Sequence, residues 1–377
     1  MEVYLNNNAT TKVDPEVLQA MLPYLREYYG NPSNLHSFGR EAREAIEQAR
    51  EEVANFINAK PEEIYFTSGG TESNNWAIKG IFRSLISKGN HIIVSSIEHK
   101  SVLSPVQYLE KMRYVEATYL SVDQYGLVDP DELEHQINEN TILVSVMHSN
   151  NEIGTIQPIK ELCEIAHKHG VYFHTDAVAS TGKVPLDVIA LGVDLMTISG
   201  HKFHGPKGIG VLYIKEGTTI EKIIYGGEQE RNMRAGTENV PGIVGLGKAT
   251  IIAQQEFDND TPHKIANLRD YLEQRIKELI PEIKINGHPT KRICSTSNIA
   301  FANINNKELI DALDKAGIKL SSGAACETTK SLTSHVLKAM NVESKYLNSQ
   351  IRFGLSKYTT KAEIDYTIDT IVKLVKT

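Results

Sequence analysis

Short apolar runs that alternate with helical stretches from about residue 64 onward are the feature that most constrains the fold. The runs are rich in β-branched and aromatic residues, which is typical of buried strands. Strands that alternate with helices lie parallel in one sheet, because each connection crosses over a face of that sheet. The candidate strands are 64–67, 91–95, 114–120, 142–147, 171–175, 194–199 and 208–214. We therefore predict an α/β fold whose mostly parallel, seven-stranded sheet is covered on both faces.

The length and the later pattern of the chain predict a second, smaller domain. With 377 residues, the chain exceeds the size at which a single hydrophobic core usually stops growing. Polar residues interrupt a long helical region around 253–261, and shorter strands and helices follow. We predict a large domain over residues 15–258. Residues 1–14 and 259–377 are predicted to form a smaller α+β domain.

Charge and terminal composition exclude several classes of protein as the main interpretation. The formal net charge is -7 and the isoelectric point is near 6.0, which disfavours a nucleic-acid-binding surface. The first residues have neither the cationic start nor the apolar run of a signal peptide. No stretch approaches the apolar length of a membrane span. We expect a cytoplasmic protein with neither nucleic acid nor a membrane as partner.

Residues that could ligate a metal or form disulfides are sparse. The chain has three cysteines, at positions 163, 294 and 326, without C-x-x-C spacing. This pattern disfavours both a disulfide framework and a structural zinc site. The closest histidine pairs, at 167–169 and 201–204, have no cysteine or carboxylate at ligand spacing. We expect no metal site.

One lysine occupies an unusual place in the run SGHKFHGPKG at 199–208. Lys202 follows a predicted buried strand and precedes a glycine-rich turn and another strand, where lysine is rarely found. A lysine amine forms Schiff bases with aldehyde cofactors once burial or a neighbouring cation lowers its pKa. His201 could provide that cation. The alternative is a solvated lysine in an ordinary loop.

Other polar residues follow the carboxyl ends of predicted strands, where ligands gather in open α/β sheets. The run TSGGTES at 67–73 opens a helix whose N–H groups could cradle a phosphate, or it is simply a turn. Asp176 ends a strand, and its carboxylate could meet a protonated pyridine nitrogen or pair with Lys183. His99 could stack on an aromatic cofactor or move protons. Helix capping is the ordinary role of such a histidine.

Two of the cysteines differ in their surroundings. Cys326 ends the run SSGAAC at 321–326, whose small residues suit a mobile or close-packed loop and give a thiol little apolar cover. An exposed thiol is a potential nucleophile, although an ordinary loop cysteine remains the alternative. Cys163 lies between apolar residues at helical spacing and is predicted to be a core residue.

Ten blocks of the chain agree in order, spacing and residue identity with one known family. They are YLNNNATT (4–11), GNPSNLH (30–36), FTSGGTESNNWAIKG (66–80), EHKSV (98–102), SNNEIGTIQP (149–158), HTDAV (174–178), SGHKFHGPKGIG (199–210), RAGTENVPGIVG (234–245), SSGAAC (321–326) and IRFGLS (351–356). Together they resemble the NifS/IscS-type cysteine desulfurases, and the match spans the whole chain. The resemblance implies a class V aminotransferase-like enzyme with the fold of type I pyridoxal-phosphate enzymes.

The resemblance also implies roles for particular residues around pyridoxal 5'-phosphate. Lys202 would form the internal Schiff base, and Asp176 would pair with the pyridinium nitrogen so that the ring acts as an electron sink. His99 would stack on the ring and help to move protons. The residues that would hold the cofactor phosphate are Gly70, Thr71, Ser199 and His201, together with Thr237 from the neighbouring subunit of a homodimer.

The implied substrate is L-cysteine. Arg352 would bind its carboxylate through the paired donors of the guanidinium, and Asn150 would contact both cofactor and substrate near the ring hydroxyl. Lys202, once freed, would remove the α-proton, and the Cys326 thiolate would attack the substrate sulfur. Alanine would leave, and a persulfide on Cys326 would pass to a scaffold of the NifU/IscU type for iron-sulfur cluster assembly or to another acceptor.

Two positions depart from the family. Ala179 stands where glutamine is usual, which removes a donor near the ring hydroxyl, and Asn6 stands where aspartate is usual. Because of the first change, a related pyridoxal-phosphate lyase or aminotransferase, such as a selenocysteine lyase, remains an alternative function. Both changes leave open a sulfur-trafficking protein whose catalysis is impaired.

Overall fold

The computed structural model of the chain describes residues 1–322 and 333–376. The strands are β1 Val3–Tyr4, β2 Ile64–Thr67, β3 His91–Ser95, β4 Glu116–Leu120, β5 Thr141–Ser145, β6 Tyr172–Asp176, β7 Leu195–Ser199, β8 Gly210–Ile214, β9 Ile283–Asn286, β10 Thr296–Phe301, β11 Ile318–Lys319 and β12 Gln350–Gly354. The helices are α1 Pro15–Arg26, α2 Ser37–Phe56, α3 Gly70–Leu85, α4 Lys100–Lys111, α5 Pro130–Gln136, α6 Ile159–Lys168, α7 Val188–Leu191, α8 Val240–Asp258, α9 Thr261–Leu279, α10 Asn306–Lys315, α11 His335–Ala339, α12 Ser344–Leu347 and α13 Lys361–Lys376.

The main sheet has seven strands in the order β2-β8-β7-β6-β5-β3-β4. The pairings β3 with β4, β3 with β5, β5 with β6 and β6 with β7 are parallel, whereas β8 is antiparallel to both β7 and β2. The prediction of an α/β fold with a mostly parallel seven-stranded sheet is therefore confirmed.

Apolar side chains leave the main sheet on both faces. Ile93 and Phe173 belong to one buried cluster, and Ile92 and Leu143 belong to another. Successive strand residues point to opposite faces, so these runs are apolar throughout because helices cover both sides. Each fully buried side chain of this size contributes about 1.5–3 kcal/mol. These contacts make the sheet a rigid platform whose carboxyl edge carries the loops that follow β3, β6 and β7.

Residues near both ends of the chain share a second core. Its buried members are Val3, Leu5, Leu272, Ile276, Ile280, Ile299, Phe301, Leu309, Leu313, Ile318, Leu320, Ile351, Phe353, Leu355, Ile364, Ile368 and Ile371. They surround an antiparallel sheet in the order β12-β10-β9 and a parallel pair of β1 with β11. This core supports the proposed small domain of residues 1–14 and 259–377, and the division at 258 stays a prediction.

Several predicted boundaries shift by a few residues for identifiable reasons. The strand predicted at 114–120 begins at Glu116, because Arg113 takes a left-handed conformation and Tyr114 bonds back to the end of α4. In the same way, β10 occupies Thr296–Phe301 and ends before a left-handed Asn303. Such turns are set by local hydrogen bonds that strand propensity does not describe.

Two buried histidines predict that acid destabilises the fold. Burial lowers the pKa of His148 to about 4 and that of His174 to about 3, whereas their ordinary value is 6.5. The unfolded chain therefore binds protons between these values that the folded chain does not, so the free energy of unfolding falls as the pH falls. We expect each histidine to contribute about 2 kcal/mol of this loss between about pH 7 and about pH 5.

Urea unfolding of the wild type and of His174→Gln across that range measures the effect. His174 bonds to the hydroxyls of Ser145 and Thr197, and a glutamine amide keeps polar atoms there without titrating. The variant should lose less stability on acidification than the wild type. His263→Gln is the control, because the His263 side chain is 66% exposed. The prediction is contradicted if the free energy of unfolding of His174→Gln depends on pH as steeply as that of the wild type.

Candidate active site

A cavity of about 420 Å³ opens at the carboxyl edge of the main sheet. Loops after β3, β6 and β7 line it together with the start of α3, the segment before α1, and β12. The residues predicted from the sequence that line this cavity are Gly70, Thr71, His99, Asp176, Ser199, His201, Lys202 and Arg352. The structure thus brings together side chains from widely separated parts of the chain.

Lys202 ends a short 3₁₀ turn, Gly200–Lys202, directly after β7. Its Nζ donates hydrogen bonds to the carbonyl oxygens of Asn8, at 2.6 Å, and Ala9, at 2.9 Å. The side chain therefore lies in the cavity, held by the N-terminal segment, and the interpretation as an ordinary solvated loop lysine is wrong. An amine at this position can reach an aldehyde bound in the same cavity.

Asp176 places a carboxylate at the end of β6. The residue is 4% exposed. Its Oδ2 accepts from Asn74 Nδ2 at 2.7 Å, and its Oδ1 accepts from the Val178 N–H at 2.9 Å. The Lys183 ammonium donates to the carbonyl oxygens of Ala179 and Lys202. The carboxylate is thus oriented by neutral donors, which suits it to hold a protonated ring nitrogen.

His99 both caps a helix and lines the cavity. Its Nδ1 accepts from the N–H of Ser101 at 3.1 Å, which caps the N-terminus of α4. Because Nδ1 is an acceptor, the neutral ring carries its proton on Nε2. Burial lowers the pKa of His99, and the nearby charges of Lys202, His335 and Lys100 lower it further, against the opposing effect of Asp176. These effects favour the neutral imidazole, which carries its proton on Nε2.

The start of α3 offers a site for a phosphate. A second cavity of about 310 Å³ lies there, lined by Gly69, Gly70, Thr71, Ser199 and His201 among others. The N–H groups of a helix's first turn point at such a site and favour an anion. Gly69 has a φ of +145°, and a Cβ on Gly70 would lie 2.9 Å from Val178 Cγ2.

The polar groups of the two cavities suit both ends of pyridoxal phosphate. Helix N–H groups and the hydroxyls of Thr71 and Ser199 suit the phosphate, and the Asp176 carboxylate suits the ring nitrogen. Burial lowers the pKa of His201 to about 4, helped by the charges of Lys202, Lys207 and Lys183, so this imidazole is neutral and can serve as a hydrogen-bonding group.

Arg352 is a buried guanidinium on β12, with 3% of the residue exposed. Its Nη1 donates to the Asn151 carbonyl at 3.0 Å, and its Nη2 donates to Ser321 Oγ at 3.1 Å and to Asn6 Oδ1 at 3.4 Å. Asn6, which stands where the family usually has aspartate, therefore contacts the arginine that is predicted to bind the substrate carboxylate.

Two predicted residues that the structure describes, Asn150 and Thr237, do not line the cavity. Asn150 is fully buried, and its Oδ1 accepts from the N–H groups of Glu152 and Ile153 while its Nδ2 donates to the Ile97 carbonyl. It shapes the turn that brings Asn151 and Glu152 to the cavity. Its predicted contacts with the cofactor and substrate stay predictions.

Thr237 is exposed on its own chain, as a residue that serves a neighbouring subunit must be, and its role stays a prediction. Cys326 lies outside the described residues. Cys163, which was predicted to be a core residue, is 1% exposed, and that prediction is confirmed.

Sequence reasoning missed several cavity residues. Asn74 lies one helical turn after Gly70, so the two share a face of α3, and that spacing was the available signal. His335 lines the cavity, and its Nε2 contacts the Glu98 carbonyl at 3.0 Å. Asn8 and Ala9 lie within a recognised block, but nothing in their sequence indicates contact with Lys202.

No group of three or more histidine, cysteine, aspartate or glutamate residues within 1–322 and 333–376 is arranged to hold a metal ion. In those same ranges, none of the helices combines the length and the apolar character that crossing a bilayer requires.

The bond between Asn74 and Asp176 predicts a measurable loss of stability. Asn74→Ala removes a donor from the buried Asp176 carboxylate and also breaks the bond from Nδ2 to Ser101 Oγ. Leaving buried acceptors unsatisfied costs about 1–3 kcal/mol, and urea unfolding of the cofactor-free protein measures this cost. Asn75→Ala is the control, since that amide donates a hydrogen bond to the Thr71 carbonyl at an exposed position. Equal losses of unfolding free energy in the two variants would contradict a stabilising role for the bond from Asn74 to Asp176.

Comparisons with known proteins agree along the whole chain. Residues 3–367 match the family described as Aminotransferase class-V. A protein of Dictyoglomus turgidum named cysteine desulfurase IscS is 49% identical over 375 residues, which cover 100% of this chain and 95% of that relative. A protein of the same name from Methanosarcina thermophila is 48% identical and covers 99% of this chain and 92% of its own length.

A solved structure titled NifS-like protein has a TM-score of 0.94 and 40% identity, with 100% of both chains covered. The resemblance predicted from the sequence blocks is thereby confirmed, and the chain belongs to the class-V aminotransferase family.

Proposed function

We propose that this chain is a pyridoxal-phosphate-dependent L-cysteine desulfurase, which converts cysteine to alanine and forms a persulfide on Cys326. The observation that carries the proposal is one cavity that holds Lys202, Asp176, His99 and Arg352 together. Full-length similarity to proteins named cysteine desulfurase supports the choice of substrate.

The bound cofactor supplies an electron sink for charge that develops on the substrate α-carbon. Asp176 holds the ring nitrogen in its protonated state, because an adjacent carboxylate favours a cation. Asn74 and the Val178 N–H keep that carboxylate in one orientation. Ser199, Thr71 and the first turn of α3 hold the phosphate.

Lys202 and His99 move protons. The carbonyl oxygens of Asn8 and Ala9 accept hydrogen bonds from Lys202 Nζ, and these acceptors stabilise the amine as an ammonium. Lys202 must lose a proton before it binds the cofactor or removes the substrate α-proton. Because His99 Nδ1 accepts the hydrogen bond that caps α4, Nε2 carries the ring proton. His99 can donate this proton as carbon–sulfur cleavage proceeds.

Arg352 binds the substrate carboxylate and so orients the substrate α-carbon toward the lysine. The Cys326 thiolate attacks the substrate sulfur, the carbon–sulfur bond breaks, and the electron pair returns to the carbon. The sulfur then sits on Cys326 as a persulfide, and the carbon skeleton leaves as alanine once protons are added.

The proposed assembly is a homodimer in which Thr237 of the partner subunit completes the phosphate site. The second cavity lies at the α3 N-terminus, where such a residue would enter. Exposed apolar residues between α1 and the start of α2, namely Tyr29, Leu35 and Phe38, offer a surface for a second copy. A scaffold of the NifU/IscU type is the proposed sulfur acceptor, and a cytoplasmic location stays a prediction.

Activity and covalent trapping test the proposed function. Protein loaded with pyridoxal phosphate should convert cysteine to alanine, with release of sulfide under a reductant. Borohydride should fix the cofactor covalently on Lys202. Lys202→Ala should lose both, with activity reduced by at least about 10³-fold, whereas the exposed control Lys277→Ala should keep both. A loaded wild type that makes no alanine would defeat the proposal.

A second experiment tests the nucleophile. Cys326→Ser should keep the cysteine-induced change in the cofactor spectrum but form no protein persulfide. Burial raises the pKa of Cys294 to about 11 and that of Cys163 to about 12, so neither is a good thiolate nucleophile. Cys294→Ser is therefore the control and should retain persulfide, which thiol labelling with mass spectrometry measures. Persulfide on Cys326→Ser would assign the role to another thiol.

A further inference from the structure

Lys183 is one of three lysines that line the cavity, and the proposed chemistry gives it no role. It lies in the turn that follows β6. Its Nζ donates to the Ala179 carbonyl at 3.1 Å and to the Lys202 carbonyl at 3.2 Å. One ammonium thus joins the turn after β6, which follows Asp176, to the turn after β7, which ends at Lys202.

The charge of Lys183 also acts on the surroundings of Lys202. Burial lowers the pKa of Lys183 to about 8, so the amine is mostly protonated at neutral pH. Burial is the main cause that lowers the pKa of His201 and of His204 to about 4, and the positive charge of Lys183 contributes to both shifts. These histidines lie on either side of Lys202 in the chain. The positive charge of Lys183 therefore acts electrostatically on the turn that contains Lys202.

We propose that Lys183 is a positioning residue for Lys202. Its ammonium fixes the Lys202 backbone carbonyl against the turn after β6, and its charge disfavours a further positive charge on the cofactor-linked nitrogen of Lys202. The inference rests on the proposed role of Lys202. A lysine has three N–H donors, and two of them are committed to these carbonyl oxygens.

Other charged or titratable groups share this environment. The imidazoles and cations that line the cavity are His99, His201, His335, Lys100 and Arg352, and the carboxylates are Glu152 and Asp176. Cys294 raises the pKa of Lys183, against the effect of burial. The variants below leave these groups in place, so differences among the variants report the charge at position 183.

The test compares Lys183→Met, Lys183→Arg and the exposed control Lys277→Met with the wild type, each loaded with pyridoxal phosphate. The visible absorption band of the bound cofactor is titrated with pH. Methionine has no charge, lysine loses its charge above about pH 8, and arginine keeps its charge throughout. We expect the apparent pKa of the band to fall in the order methionine, wild type, arginine, with methionine raised by about 1.

The order separates a charge effect from simple damage to the cavity. A structural role alone would move both variants in the same direction or leave both unchanged, and either outcome overturns the inference. Lys277→Met should match the wild type. Urea unfolding of the cofactor-free variants shows whether each folds. Should Lys183→Met fail to fold, Lys183→Arg still decides, because an apparent pKa at or above that of the wild type overturns the inference.

Failure of the proposed function gives a different result. If borohydride does not fix the cofactor on Lys202 of the wild type, the proposed function fails together with the inference that rests on it. If borohydride labels Lys202 but the order of apparent pKa values is not found, only the role of Lys183 is overturned.

Discussion

The hydrogen bonds from the Lys202 amine to the carbonyl oxygens of Asn8 and Ala9 join the cavity to the beginning of the chain. A charged amine removed from water is costly unless acceptors replace the water. The same segment pairs with the turn after β7, since the Thr11 N–H donates to the His201 carbonyl and the Asp14 N–H to that of His204. The position of Lys202 therefore depends on residues that are separated from it in sequence by about the length of a whole domain.

The smaller sheet contributes to the cavity through the two-residue period of its strands. On β10, Ile299 and Phe301 enter the second core, whereas Asn298 lies on the opposite face and pairs in register with Arg352. Asn298 Nδ2 donates to the Glu152 carbonyl at 3.3 Å. One face of the sheet thus supplies apolar burial and the other supplies polar partners, which allows a guanidinium to be buried beside the main sheet.

The sequence predicted those parts of the site that follow from strand order. Asp176 and Lys202 both follow strands of one parallel sheet, and the carboxyl ends of such strands lie at one edge. Arg352 was indicated only by the family resemblance, because it comes from the other sheet. Asn74 was missed, since its helical spacing from Gly70 indicates a shared face but does not identify a partner 102 residues away. Turn conformations such as Arg113 moved the strand boundaries, because they depend on local backbone bonds.

The two departures from the family differ in kind, because Asn6 removes a negative charge beside Arg352 whereas Ala179 removes a neutral side-chain donor. Asn6 offers a neutral amide oxygen to Arg352 at 3.4 Å, which is a weaker partner than a carboxylate. The positive charge of the guanidinium is therefore less compensated at position 6, which would favour the substrate carboxylate that is proposed to bind Arg352. At position 179 the backbone carbonyl accepts a hydrogen bond from Lys183. Any residue at this position could offer that carbonyl, so the loss of the glutamine amide removes a neutral side-chain donor and leaves the charges of the cavity unchanged.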